Sequence, residues 1–225
     1  GFNKAHASAY AFVAYRTAYL KAHYPTEFIA SCISCEMGDT DKVVELMEDC
    51  ASLGVEVLPP DINESGLDFT VVQDGVIRFG LGAVKNVGTK AAGSIIEQRQ
   101  KKGEYQSIFD FCERIDPSEV TKGTIEALMK GGCFDELPGR RAQQLTVLDT
   151  AVKSGARARR DRQMGQKGLF GDAAETSPEE RVRANLPDVP PLRPRELARQ
   201  ESEALGLYVR HDPLEEYRTR LRRLT

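Results

Sequence analysis

Several common chemistries lack their residues in this sequence. There is no GxxxxGK(S/T) loop to cradle phosphates, no HExxH pair for a zinc protease and no serine in a G-x-S-x-G turn. P-loop hydrolysis, zinc proteolysis and α/β-hydrolase chemistry are therefore excluded. No apolar run approaches a membrane span and no signal-peptide pattern is present, so a cytoplasmic location is expected. The five cysteines, at 32, 35, 50, 112 and 133, are odd in number and follow no framework, which fits a reducing compartment. Cys32-Ile-Ser-Cys35 has zinc or redox spacing, yet no second CxxC exists and His6, His23 and His211 are too far away to complete a ligand set. Buried helical thiols are expected there, and no metal site. Asp61, Asp68 and the acidic stretch 41–49 read as connector and solvated face rather than carboxylates converging on two ions. No catalytic residue is assigned within the chain.

What is present is an ordinary soluble composition: 225 residues, 40% hydrophobic and 29% charged. A net charge of −3 and a pI near 5.8 announce no polyanion partner, so any affinity for phosphate must come from local patches. Residues 3–23 contain neither Gly nor Pro, and Asn3 suits an N-cap. Ala7, Ala11, Ala14, Ala18 and Ala22 share one face of this helix, a seam that predicts a closely packed partner. Tyr24-Pro25 ends it, a second helix runs toward Met37, and a third spans about 43–53 before Gly54 stops it. Residues 55–58 read as a short strand, and 69–72 with 76–79 as a hairpin turning at Asp74-Gly75. Short helices with glycine turns fill 80–137, and 140–152 reads as one more helix. Arg, Gly, Gln and Pro then dominate to residue 194, the composition of a linker. Pattern returns at 196–208. The fold class expected is mainly α with a small β element. An abrupt start at Gly1 and an unclosed basic end at Thr225 give the expectation of a segment cut from a longer protein.

Three stretches carry possible chemistry. In the first, Gly80-Leu81-Gly82-Ala83-Val84-Lys85-Asn86-Val87-Gly88 opens an apolar helix, as a helix-hairpin-helix does when it offers backbone N–H groups to a phosphate. Gly80, Gly82, Lys85, Asn86, Gly88 and Lys90 are the candidate DNA-binding residues, gripping backbone rather than bases. The alternative is tight turns between packed helices. A second, weaker unit follows at 109–134, without the G-h-G turn. In the second stretch, Asn3, Lys4 and His6 stand at a helix start that would hold anionic oxygens, against the alternative of a surface lysine and a half-buried histidine. In the third, Gln166-Lys167-Gly168-Leu169-Phe170 places two large apolar side chains in a linker. They suit anchors for an apolar pocket on a partner, with Gln166 adding a directional hydrogen bond; the alternative is that they fold back onto the chain's own surface.

Laid end to end, these pieces resemble the alpha-subunit family of bacterial DNA polymerase III. GFNKAHASAYAFVAYRTAYLKAHYPTEF looks like the end of its fingers region and DKVVELMEDCASLGVEVLPPDINES like the segment that follows. IRFGLGAVKNVG, SIFDFCERID and IEALMKGGCFD are similar to its tandem helix-hairpin-helix region, and ESEALGLYVRHDPLEEY to the stretch before its OB-fold. The error-prone paralogue departs from the FNKAHA and LPPDINES positions, so the resemblance is to the replicative form.

The resemblance implies four parts: 1–54 as the C-terminal part of the fingers, 55–152 as the β element plus tandem hairpins, 153–194 as a flexible linker, and 195–225 as a connector to an OB-fold. It implies template-directed addition of dNTPs to a primer end by the parent enzyme, with this segment inactive alone. Asn3, Lys4 and His6 would neighbour the incoming dNTP, the hairpins would hold primer-template duplex, and Gln166, Leu169 and Phe170 would bind the beta sliding clamp. Magnesium, the tau subunit of the clamp loader and the proofreading epsilon subunit would be bound by parts of the parent outside this chain, at replication forks on the nucleoid. The competing readings are a stand-alone helix-hairpin-helix or clamp-adaptor module and the error-prone paralogue.

Overall fold

The computed structural model describes residues 3–163, 186–211 and 213. Within them the chain is mainly helical, with one small sheet. It divides into two compact units: 1–58 with 69–78, and 59–68 with 79–225.

The first unit begins with helix α1 (Lys4–His23), whose N-cap Asn3 accepts a hydrogen bond from the Ala5 N–H through its side chain. Every residue of α1 is exposed, so the alanine seam has no close partner among the described residues. Its sequence pattern is a helix former's without an apolar stripe, because alanines and aromatics ring it on all sides. Pro25 supplies the first residue of α2 (Pro25–Cys35), which buries Ile29, Ala30 and Ile33. Helix α3 (Thr40–Ser52) is capped by Asp39, buries Val43 and Cys50, and stops at Gly54, whose φ of +70° only glycine adopts without strain.

Strands β1 (Glu56–Leu58), β2 (Thr70–Gln73) and β3 (Val76–Arg78) follow in spatial order β1-β3-β2. β1 runs parallel to β3, with Val57 opposite Ile77, and β2 is antiparallel to it. The hairpin turns at Asp74-Gly75 as the sequence predicts. Buried Thr26 fixes that turn by accepting the Gly75 N–H at 3.0 Å.

The second unit opens on a connector tied down by side-chain hydrogen bonds. Asp61 accepts from the N–H groups of Asn63 and Glu64, and Ser65 donates to the Phe79 carbonyl. The Asn63 amide pairs both ways with the Tyr105 backbone, at 2.9 and 2.8 Å. Arg99 donates to the Ile62 and Ser65 carbonyls. Behind this loop sit α4 (Thr89–Lys102), α5 (Ile108–Arg114) and α6 (Lys122–Lys130), preceded by a single 3₁₀ turn at Leu81–Ala83. Their core centres on Tyr105, Phe111 and Phe134, stacked edge to face at 4.9 and 5.0 Å.

Helix α7 (Arg141–Gln163) runs well past residue 152, where composition suggests that it ends. The reason is tertiary. A Cβ on Gly155 would lie 2.2 Å from the Cys112 carbonyl oxygen, so glycine here marks where α7 meets α5 backbone to backbone. One turn later Arg159 donates to the Cys112 and Ile115 carbonyls at 2.6 and 2.9 Å, closing the C-terminal end of α5. Helix α8 (Pro194–Leu205) packs its Ala204 and Leu205 on Gly131. Fully buried Glu201 on α8 gathers the next loop by accepting the N–H groups of Val209, Arg210 and His211.

Candidate nucleic-acid interface

Val84 and Val87 are buried and hold a turn whose other members, Lys85, Asn86 and Gly88, are exposed. Asn86 is the one non-glycine residue with positive φ among the described residues, at +65°. Asparagine tolerates the left-handed region better than other residues with a Cβ, so it occupies a place where glycine would be unstrained. Gly88 is the N-cap of α4 and offers no side-chain cap. A Cβ there would meet nothing within 4 Å. The start of α4 thus has no side-chain cap and carries two exposed lysines nearby in the chain, Lys85 and Lys90, an arrangement suited to a backbone-phosphate grip.

Gly80 and Gly82 have a different role. A Cβ on Gly80 would fall 2.5 Å from the backbone of Leu67 and Asp68, and one on Gly82 would fall 2.9 Å from the Leu67 oxygen. Close packing of the connector accounts for both glycines, and the exposed turn is 85–88. The Lys85 N–H is occupied, donating to Ala204 at the end of α8 at 2.7 Å. The Lys85 side chain remains exposed.

The second hairpin joins α5 to α6 with the same plan: Ile115 and Val120 are buried and the residues between them form the tip. Its chemistry differs. Thr121 caps α6 by accepting from the Thr124 N–H, so this helix start is already satisfied. The tip is acidic. Hydrogen bonds from Ser118, then the nearby Arg159 and Lys90 charges, hold the Asp116 carboxyl below the usual carboxylate range. Hydrogen bonds from Ser94 and Lys90 do the same for Glu119. Lys90 lies 3.4 Å from Glu119 and Lys122 2.6 Å from Asp149. Both tip carboxylates are held in their ionised form, so of the two hairpins the first is the better candidate for a phosphate contact.

Asn3, Lys4 and His6 lie on the first turn of α1. The Asn3 side chain is engaged as the cap, and His6 stacks on Tyr10 at 4.5 Å. Lys4 and His6 are two residues apart on a helix, so their side chains do not face one another. A groove of the first unit, about 810 Å³, is rimmed by Glu27, Glu36, Glu45 and Asp49 against one lysine, Lys42. An acidic rim disfavours a triphosphate. Among the described residues no three His, Cys, Asp or Glu side chains come together as a metal-ligand set, and no helix is long and apolar enough to cross a membrane. Gln166, Leu169 and Phe170 lie outside the described residues.

A model of the helix-hairpin-helix motif matches residues 54–144, which contain both hairpins. Along nearly its whole length the sequence aligns with larger proteins. It is 43% identical over 217 residues to the DNA polymerase III alpha subunit of Thermus aquaticus, covering 96% of this chain and 17% of that one. It is 40% identical over 225 residues to that of Vibrio cholerae, covering 100% and 19%, and 38% identical over 217 residues to that of Escherichia coli K12, covering 96% and 18%. The chain is homologous to one segment of the DNA polymerase III alpha subunit. It spans about a fifth of the length of these curated relatives. Both structural units fall within the aligned region, so the homology is not confined to the hairpins.

Sequence patterns alone do not reveal three contributors to this interface: Ala204, which pins the hairpin at Lys85; Gly155; and Arg159. The only hint of the last two was a glycine set in an arginine-rich stretch.

Proposed function

We propose that this chain is the part of a replicative DNA-directed DNA polymerase that holds primer-template duplex. The open start of α4, flanked by Lys85 and Lys90 inside a segment homologous to polymerase alpha subunits, carries this reading. Phosphate contacts of this kind fix position without reading sequence, as a polymerase that must travel along any template requires. Homology over both units favours this role over a stand-alone DNA-binding or clamp-adaptor module. Replacing Lys85 and Lys90 with Ala should weaken duplex binding and lower its salt dependence; unchanged affinity would refute the grip.

The reaction of the parent is attack of a primer 3′-oxygen on the α-phosphate of a dNTP. Magnesium, when bound, lowers the pKa of that nucleophile and offsets charge on the leaving oxygen. We assign its ligands to parts of the parent outside this chain, as the resemblance to the alpha subunit implies. The chain alone should extend no primer, and incorporation would show that catalytic residues have been misplaced. Its own share is orientation: the hairpin holds duplex, and α1, with Asn3, Lys4 and His6, belongs to the fingers that receive the dNTP.

Gln166, Leu169 and Phe170 we assign to the beta sliding clamp, where a tether raises the local concentration of a weak peptide. Changing Leu169 and Phe170 to Ala should abolish clamp pull-down and spare DNA binding. Binding of the tau and epsilon subunits we assign to parts of the parent outside this chain, working in the cytoplasm at replication forks.

A further inference from the structure

Helix α7 carries Arg141, Lys153, Arg157, Arg159, Arg160 and Arg162 against only Asp149 and Asp161, in a chain whose net charge is −3. Arg141 and Arg159 are committed to internal hydrogen bonds. Lys153, Arg157 and Arg160 are exposed and recur at i, i+4 and i+7, so they share one side of the helix over about 10 Å. Residues 144, 148, 151 and 155 form the opposite, buried side.

This basic stripe is joined to the second hairpin. Asp149, one turn before Lys153 on the same side, meets Lys122 at the start of α6 at 2.6 Å. Arg159 holds the carbonyl of Ile115, where that hairpin begins. A favourable interaction with the helix C-terminus accounts for cations in the last turn, but not for Lys153 or Arg157 further back. Internal pairing does not account for them either. Arg157 reaches Asp161 only at 3.9 Å with its side chain 86% exposed, and neither Lys153 nor Arg160 makes an ion pair within the described residues.

We infer that Lys153, Arg157 and Arg160 form a second phosphate contact for duplex DNA, continuing from the hairpins along α7. The inference rests on the reading of this segment as one that binds duplex DNA. It resolves an electrostatic difficulty, because the second hairpin presents Asp116 and Glu119 at its tip and needs cations nearby to be approached by a phosphate backbone. Two arginines suit the role, since the guanidinium fork matches phosphate oxygens in pairs.

The test uses the whole chain and a fluorescent duplex, with affinity measured by anisotropy across a salt series. Each phosphate contact adds about 0.9 to the slope of log affinity against log salt. The triple variant Lys153→Gln, Arg157→Gln, Arg160→Gln should therefore lower the slope by about 2 to 3. The charge-keeping triple Lys153→Arg, Arg157→Lys, Arg160→Lys should retain it, and a slope lost equally there would overturn the inference by showing that charge is not the cause. A Gln triple that keeps the parent slope, while Lys85→Gln with Lys90→Gln lowers it, overturns the stripe and leaves the hairpin grip standing. The reverse pattern removes the hairpin grip and supports the stripe as a phosphate contact in its own right. A parent chain that binds no duplex removes both.

Discussion

Substituting Gly155 by Ala sets two effects of opposite sign against each other. In an exposed helix interior, Gly→Ala stabilises by about 1 kcal/mol, because alanine has less backbone freedom to lose. At Gly155 the new methyl would stand 2.2 Å from the Cys112 oxygen and 2.6 Å from its carbonyl carbon, and neither is a side-chain tip that can swing away. Overpacking of this kind costs about 1–3 kcal/mol. If α7 lifts from α5 to relieve it, Arg159 loses hydrogen bonds to Cys112 and Ile115, each worth about 1.5–3 kcal/mol for a charged donor. The clash wins, and we expect a net destabilisation of about 2–4 kcal/mol once the helix-propensity gain is subtracted. Gly93 in α4 is the internal control: it is exposed, and a Cβ there meets nothing within 4 Å, so Gly93→Ala should stabilise. Urea unfolding followed by far-UV circular dichroism reads both, and a loss of this size moves the midpoint down by about 1 M or more. A Gly155→Ala midpoint that rises together with that of Gly93→Ala would refute the backbone contact.

Further expectations follow from the same packing. Asn86→Gly should leave stability unchanged or slightly raised, whereas Asn86→Val should cost about 1–2 kcal/mol, because a β-branched residue resists positive φ; thermal melts distinguish them. Removing the Glu201 carboxylate by Glu201→Ala strands three N–H donors at 209–211, and limited proteolysis should then cut near Arg210 far faster than in the parent. Burial pushes Tyr105 up to about 12 from 10.0, Cys112 up to about 12 from 9.0 and Cys50 up to about 11 from 9.0. Each folded-state value lies above the unfolded one, so the contribution is intact below pH 9 and is lost as the unfolded chain deprotonates first. Unfolding midpoints should therefore fall progressively between about pH 9 and 12, and a flat alkaline profile would contradict the burial of these groups.

The sequence reads well where local chemistry decides structure. Asn3 and Tyr24-Pro25 set helix boundaries by capping and by fixed φ, and Asp74-Gly75 turns the hairpin. It reads poorly where a residue's reason lies elsewhere in space. Gly80 and Gly82 resemble the glycines of a phosphate-binding turn, yet they are small because the Leu67-Asp68 backbone lies against them. The residue that takes the left-handed conformation is Asn86, which composition does not flag. Gly155 looks like the end of a helix and is instead its closest contact. α1 shows the converse: its alanine seam predicts a packing partner, and the described residues contain no side chain that buries it.

The account's central claim is that this segment grips duplex DNA by its phosphates. The most direct measurement is the affinity of the unmodified chain for two duplexes of unrelated sequence across a salt series. The prediction is equal affinity for both and a log–log slope between about −2 and −5, one contact contributing about −0.9. An affinity that differs between the two sequences by tenfold or more, or a slope shallower than about −1, would contradict it.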